Sequence, residues 1–423
     1  MSSWQKHLKE NKAFCILAFN HMHVDTDSKV KLCCVADNET PLAKDVTSVD
    51  MSKLWVGEQY QQIRKDMLAG KKVEQCKGCY KLEEENGGGS DRLAHNMWFN
   101  PPTDDWELDV VTGSNTGHPN WVDWRPGRFC NLGCRMCFVG VSSTIADEHK
   151  ANPLLTKVTG EEWFETKEWI EDDNTYAYMQ ELIPNLEAIK IAGGEPFFMP
   201  GVIKLLKWCI ESGNTHLRLD ITTNGTRMQG KVLKWLKEFK SVDIQFSIDG
   251  VGYANDYIRY GAEWDKIAPT YKQYLDIEGV TTNLLSTVQV YNLHDVPNVI
   301  QFWKDCGSNN NLIMNFVNWP REFKIDILPK SYRHRIADEI ENVTADMSQY
   351  QLDTFRINAM LSQLREPDVP RNKDAYLEGY GDIYKRRILC VKRTRAYDKL
   401  RKQDINLVSK KLGELMNEWE QDG

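Results

Sequence analysis

The chain has 423 residues, 41% of them hydrophobic and 27% charged, with a formal net charge of −8. That length allows two or three domains with a sizeable core. The acidic balance argues against broad nucleic-acid binding, and no long uncharged apolar run suggests a membrane span. The opening residues Met1–Leu8 are polar and lack the apolar centre of a signal peptide, so the expected compartment is the cytoplasm. The eleven cysteines are an odd number and are clustered, which in a reducing compartment points to metal binding or chemistry rather than disulfides.

Residues 1–118 read as a small Cys-rich domain. Two apolar runs, Phe14–Phe19 and Val30–Val35, flank the polar turn Asp25–Lys29 and predict a hairpin. Residues 58–68 have helical spacing and stop at Ala69-Gly70. Cys76-Lys77-Gly78-Cys79 is a CxxC pair, read as a tight turn that aims both thiols at one centre. Two hairpin cysteines and this pair make four soft ligands, enough for an iron–sulfur cluster or a zinc ion. Gly87-Gly88-Gly89 is read as a turn, because no strand precedes it to make a phosphate cradle. The Pro-, Asp- and Gly-rich stretch 100–120 marks the boundary.

Residues 119–320 alternate strands and helices. Strands are expected at 122–124, 188–192, 217–223, 242–248, 283–290 and 312–317. Helices are expected around 143–183, 201–212, 230–239, 263–276 and 296–305. Such βα repeats argue for a parallel sheet, curved or closed as in barrel folds. Active groups then belong at the C-terminal ends of strands. Those ends carry Cys130/Cys134/Cys137, Gly193-Gly194-Glu195, Thr223-Asn224, and Ser247 with Asp249. Residues 321–423 are expected to be mainly helical. Their basic stretch, from Lys385 to Lys399, is read as a solvated helix face, with a phosphate-bearing substrate as the alternative. A last amphipathic helix is expected around 405–419. Cys209, Cys306 and Cys390 stand alone and read as small buried side chains.

The octet Cys130-Asn131-Leu132-Gly133-Cys134-Arg135-Met136-Cys137, spaced CxxxCxxC, and the later Gly193-Gly194-Glu195-Pro196 resemble the signature of the radical S-adenosylmethionine (SAM) enzymes. The Cys15/Cys33/Cys76/Cys79 set resembles the auxiliary-cluster (SPASM or twitch) domains of some of them. Those domains have a turn Gly where this chain has Ser28, with a Cys five residues later, which favours Cys33 over Cys34. Their auxiliary domain follows the barrel, whereas here the set precedes it. The resemblance implies a partial (β/α)6 TIM-like barrel with a Cys-rich N-terminal domain and a helical C-terminal extension. It implies a [4Fe–4S] cluster on Cys130, Cys134 and Cys137, with one iron open to SAM. Gly193, Gly194 and Glu195 would accept from the SAM ammonium. Thr223, Asn224, Ser247 and Asp249 would meet its ribose and carboxylate. Arg259 is a candidate fork for that carboxylate, or an ordinary salt bridge. Val290 is a candidate adenine contact, or core. Met136 stands where the family often has an aromatic residue. The upstream cysteines would hold a second [4Fe–4S] cluster, with zinc as the alternative.

The implied chemistry is reductive cleavage of SAM by an external donor such as flavodoxin or ferredoxin. The resulting 5′-deoxyadenosyl radical abstracts a hydrogen atom from the substrate. The expected substrate is a peptide or protein side chain. A small molecule, nucleoside or sugar is the alternative, and a metal-stabilised binding protein without catalysis is the reading from another class.

Overall fold

The computed structural model describes residues 3–86, 90–165, 168–227, 230–307, 311–347, 351–366 and 383–421. The glycine run Gly87–Gly89 lies outside them. In chain order the strands are β1 (His21–Val24), β2 (Val30–Lys31), β3 (Leu108–Asp109), β4 (Gly113–Ser114), β5 (Trp121–Trp124), β6 (Gly133–Cys134) and β7 (Ala188–Ile191). They continue with β8 (Arg218–Thr223), β9 (Ser241–Ser247), β10 (Arg259–Tyr260), β11 (Val280–Val288) and β12 (Leu312–Phe316). The fold is α/β with a parallel sheet, Cys-rich at its N-terminal end and helical at its C-terminal end. No helix among the described residues is long and apolar enough to cross a membrane.

The chain divides into two compact units, residues 1–129, 166–222 and 229–243, and residues 130–165, 223–228 and 244–423. This division differs from the sequence-based one at 118/119 and 320/321. The reason is pairing: β1, from the Cys-rich segment, lies parallel to β5 with His23 opposite Asp123. Strands β8 and β9 supply residues to both units.

In the first unit the strand order is β2-β1-β5-β7-β8. Alternation gives this sheet two unlike faces. Met22, Val24, Val122, Trp124, Ile189, Ile191, Leu219 and Ile221 are all buried and apolar. The opposite positions carry Lys31, His23, Asp123, Lys190 and Asp220, which are register partners across all five strands. The expected hairpin exists, but its first strand is His21–Val24, because Leu17–Asn20 closes one helical turn instead. Asp25 N–H donates to the Lys29 carbonyl at 2.9 Å to shut the turn. Ser28 there has φ 64°, the left-handed region that favours glycine. The helix Glu58–Leu68 forms as expected and ends before Gly70, at φ 75°.

In the second unit β6 and β10 form a short antiparallel pair, β11 and β12 pair in parallel, and β9 lies next to β11. The long helical region expected at 143–183 is broken. Helices Ser143–Ala151 and Pro153–Thr159 meet at Asn152, whose side chain caps Leu154 N–H, and Gly160 ends the second at φ 73°. A further helix, Asp173–Leu182, belongs to the first unit. The terminal helix is also split, into Ile405–Val408 and Lys410–Gln421.

The basic stretch lies on the helix Ile383–Arg401 and is only partly a solvated face: Lys385, Lys392 and Lys399 are exposed, whereas Arg393 is buried. Arg386 forks onto Asp326 at 2.8 and 2.9 Å.

Candidate iron–sulfur and SAM site

Each unit holds one group of cysteines. In the first, Cys15, Cys33, Cys76 and Cys79 line one small cavity together with Arg92. Cys76 ends a 3-10 turn and Cys79 lies in the first turn of the helix Lys77–Asn86, so a helix start spaces the pair rather than a free turn. Cys33 lies on the cavity, whereas its neighbour Cys34 is exposed and off it. Burial pushes all four thiols above their ordinary range. Arg92 opposes this at Cys76 and Cys79. It is held by Glu83 at 2.9 Å and by the Phe14 carbonyl at 2.7 Å. Buried sulfurs around empty space beside a cation suit an anionic soft-ligand centre. Among the described residues no three His, Cys, Asp or Glu side chains are set to hold a single metal ion as they stand.

In the second unit the loop Cys130–Cys137 is tied on several sides. Ser143 and Thr144 hydroxyls donate to the Cys130 carbonyl at 3.1 and 2.7 Å. Cys137 N–H donates to the Cys134 carbonyl at 3.0 Å. The Cys137 thiol hydrogen-bonds to Cys134, lowering the Cys134 pKa and raising that of Cys137. Arg259 pairs with Cys134 across β10 and β6, with Nη1 3.9 Å from its sulfur. Arg259 Nε lies 2.7 Å from Asp249, whose other oxygen accepts Thr287 N–H at 2.7 Å. Asp249 is fully buried and burial raises its pKa, against the pull of Arg259. It therefore holds Arg259, and Arg259 faces the loop. The salt bridge considered for Arg259 is present, to Asp249, and is buried rather than at the surface.

Asn224 Nδ2 donates to Asn131 Oδ1 at 2.9 Å and stands 3.9 Å from the Cys130 sulfur. Asn131 in turn donates to Thr226 at 2.9 Å. Thr223 Oγ1 accepts Gly225 N–H at 3.2 Å. Ser247 is buried at the end of β9, and Val290 is buried with its N–H on the Phe323 carbonyl at 2.9 Å. Ser286 Oγ and Gln289 Oε1, at and just past the end of β11, are buried without a hydrogen-bond partner. Orphaned groups beside strand ends fit a polar ligand such as SAM.

Gly193, Gly194 and Glu195 belong to the first unit. Gly194 N–H donates to the Gly127 carbonyl at 3.1 Å, and Glu195 N–H to the Phe129 carbonyl at 2.8 Å. A Cβ on Gly194 would lie 2.2 Å from the Phe129 oxygen, so only glycine allows this approach. Gly193 has φ 109°. Glu195 is buried and its Oε1 accepts Phe197 N–H at 3.1 Å.

Sequence reasoning missed the charged row. His23 is fully buried, with Nδ1 3.2 Å from Asp123 and Nε2 3.6 Å from Asp25. Lys31 reaches Asp25 at 2.7 Å and Lys190 reaches Asp220 at 3.5 Å. The signal was the period-two polarity of His21–Val24, Trp121–Trp124, Ala188–Ile191 and Arg218–Thr223.

Residues 124–302 match the family described as the radical SAM superfamily, and residues 15–80 match SPASM, an iron-sulfur cluster-binding domain. The chain thus carries a radical SAM domain and a SPASM iron–sulfur domain. Its cofactors are accordingly a [4Fe–4S] cluster with SAM, and an iron–sulfur cluster in the SPASM domain. It is 26% identical over 184 residues to the Fe-coproporphyrin III synthase of Methanosarcina barkeri (strain Fusaro / DSM 804), over 44% of this chain and 41% of that protein. The chain thus matches less than half of that relative's length. Among solved structures, Streptococcus suis SuiB bound to S-adenosylmethionine is 14% identical, with TM-score 0.34, covering 71% of this chain and 63% of that one. Native anSMEcpe with bound AdoMet and Kp18Cys peptide is 16% identical, with TM-score 0.37, covering 52% and 59%.

Proposed function

We propose that this protein is a radical SAM enzyme that modifies a peptide or protein side chain, working in the reducing cytoplasm with a one-electron donor such as flavodoxin or ferredoxin. The observation that carries the chemistry is the tied loop of Cys130, Cys134 and Cys137, with Arg259 against one sulfur. Those three thiols are the ligands we assign to the SAM-binding cluster. Cys15, Cys33, Cys76 and Cys79 are assigned to the auxiliary one. When bound, the cluster supplies the electron that cleaves SAM and so enables hydrogen-atom abstraction from substrate.

The chain's own residues bind and orient. Gly193, Gly194 and Glu195 are assigned to the SAM ammonium by the family motif. Thr223, Asn224 and Ser247 are assigned to its polar groups, and Val290 to the wall of its adenine pocket. Asp249 fixes the Arg259 guanidinium, which keeps a cation at the loop and at the SAM carboxylate. The SPASM domain and the charged sheet face in the first unit support a polar substrate such as a peptide.

A second reading has one observation in its favour. The curated relative is named for a porphyrin product, a small carboxylated molecule. The test is anaerobic incubation with SAM, a reductant and either a peptide pool or a small-molecule pool containing coproporphyrins. Mass change in the peptide pool alone supports the first reading; change in the other pool alone replaces it. Iron counting tests the sites. About eight irons per chain should fall to about four in the Cys130/Cys134/Cys137 triple variant and in the Cys76/Cys79 double variant. Loss of reductive SAM cleavage in Cys134→Ala excludes a non-catalytic protein.

A further inference from the structure

One helix in the second unit reaches the cysteine loop at three points. Arg393, Tyr397 and Arg401 recur every four residues on Ile383–Arg401 and so share a face. Arg393 Nη2 donates to the Cys137 carbonyl at 3.3 Å. Its Nη1 lies 3.0 Å from Glu161 and 3.1 Å from Glu322. Glu161 also accepts Val139 N–H at 2.9 Å, two residues beyond Cys137. Arg401 forks onto Glu148 at 2.9 and 2.6 Å. Its Nη2 lies 3.0 Å from where a Cβ on Gly133 would sit. Between them, Asp398 takes Arg135 at 2.5 Å and the Tyr257 hydroxyl at 2.8 Å. Arg135 stacks 3.6 Å above the Tyr257 ring.

The side chains of Arg393 and Arg401 are 1% and 0% exposed. Packing alone does not call for them, since apolar side chains of similar volume hold a buried contact at lower desolvation cost. The charges have a second use. A cluster that accepts an electron gains negative charge, and Glu161 and Glu322 beside the loop oppose that gain. Arg393 is their counter-charge, and its free edge points to a ligand residue's carbonyl. Buried charge and hydrogen bonding around the sulfurs set cluster potentials.

We propose that the helix Ile383–Arg401 is part of the electron-accepting site, and that Arg393 and Arg401 are positioning residues that raise the reduction potential of the cluster held by Cys130, Cys134 and Cys137. This rests on the assignment of those three ligands. Arg135–Asp398 fixes the loop, and the two flanking guanidiniums set its field.

The experiment is an EPR-monitored redox titration of the full, anaerobically reconstituted chain. It follows the signal that disappears in Cys134→Ala. Arg393→Gln should lower the equilibrium constant for reduction at least tenfold, which is about 59 mV for one electron. Arg393→Lys keeps the charge and should stay within about threefold of wild type. Arg401→Gln should move in the same direction as Arg393→Gln, and carries the test if Arg393→Gln does not retain the cluster. A Gln variant that titrates with wild type overturns the proposal. So does a Lys variant displaced as far as Gln, since that result makes the role one of packing. If no signal depends on Cys134, the ligand assignment itself fails, and that outcome is distinct from both.

Discussion

Glu168 offers a direct test of the backbone that leads into the cysteine loop. Its Oε1 accepts the N–H groups of Arg128 at 3.2 Å and Phe129 at 3.1 Å, the two residues before Cys130. Its Oε2 is buried without a hydrogen-bond partner. A Cβ on Gly127 would lie 1.4 Å from that oxygen, so glycine there is what admits the carboxyl. Burial raises the Glu168 pKa from 4.5 to about 7, with the two backbone donors opposing. An acid raised in this way holds its proton more tightly when folded. Its stabilising contribution is complete below the unfolded value of 4.5 and is lost as pH rises through about 7. At ~1.36 kcal/mol per pH unit the full effect is about 3 kcal/mol. Partial exposure reduces it to about 2 kcal/mol. Glu168→Gln keeps the Oε1 acceptor and cannot ionise. Urea unfolding of both proteins, anaerobic and at matched iron content, should show wild type losing about 2 kcal/mol relative to Glu168→Gln between pH 5 and pH 8. Parallel pH profiles would mean a carboxylate ionised throughout, and would refute the reasoning.

Three other predictions follow from single positions. Gly194→Ala puts a methyl 2.2 Å from the Phe129 oxygen. It should cost about 1–3 kcal/mol and abolish SAM binding by calorimetry; unchanged binding would show that the close approach is dispensable. Cys33→Ser should remove about four irons per chain while Cys34→Ser removes none, and the reverse pattern would move the ligand to Cys34. Ser28 at φ 64° suits glycine. Ser28→Gly should therefore leave stability unchanged or raise it by up to about 1 kcal/mol, while Ser28→Val lowers it by more than about 1 kcal/mol. A Gly variant clearly less stable than wild type would contradict the turn geometry.

The parallel strands were legible because each is a short apolar alternation ending in polar punctuation, as in Ala188–Ile191 before Gly193-Gly194. The cysteine loop was legible because its three cysteines are local in the sequence. Asn224 beside Cys130 was legible only through its place at a strand end. What stayed hidden depends on tertiary partners. Arg393 in a basic run looks solvated until Glu161 and Glu322, both far away in sequence, are brought beside it. The strand at His21–Val24 was masked by the more apolar Phe14–Phe19 next to it, part of which turns helical because Leu17–Asn20 packs inward. The helical pattern over 143–183 is interrupted because Asn152 caps a new helix and Gly160 stops it.

The β1–β2 hairpin ties the two halves of the first unit's chemistry to one register. His23 faces Asp123 on one side and Lys31 on the other, and Cys33 follows Lys31 by two residues. Side chains alternate across a strand, so a slip of one residue at β1 would turn His23 and Asp25 into the apolar layer and bring Met22 and Val24 to the charged face. The buried apolar face prevents it, since Met22 and Val24 are fully covered beside Val122 and Trp124. Ser28 accepts a left-handed turn within this hairpin, and that turn sets the pairing. An apolar core on one side of the sheet thereby fixes which charges line the opposite face.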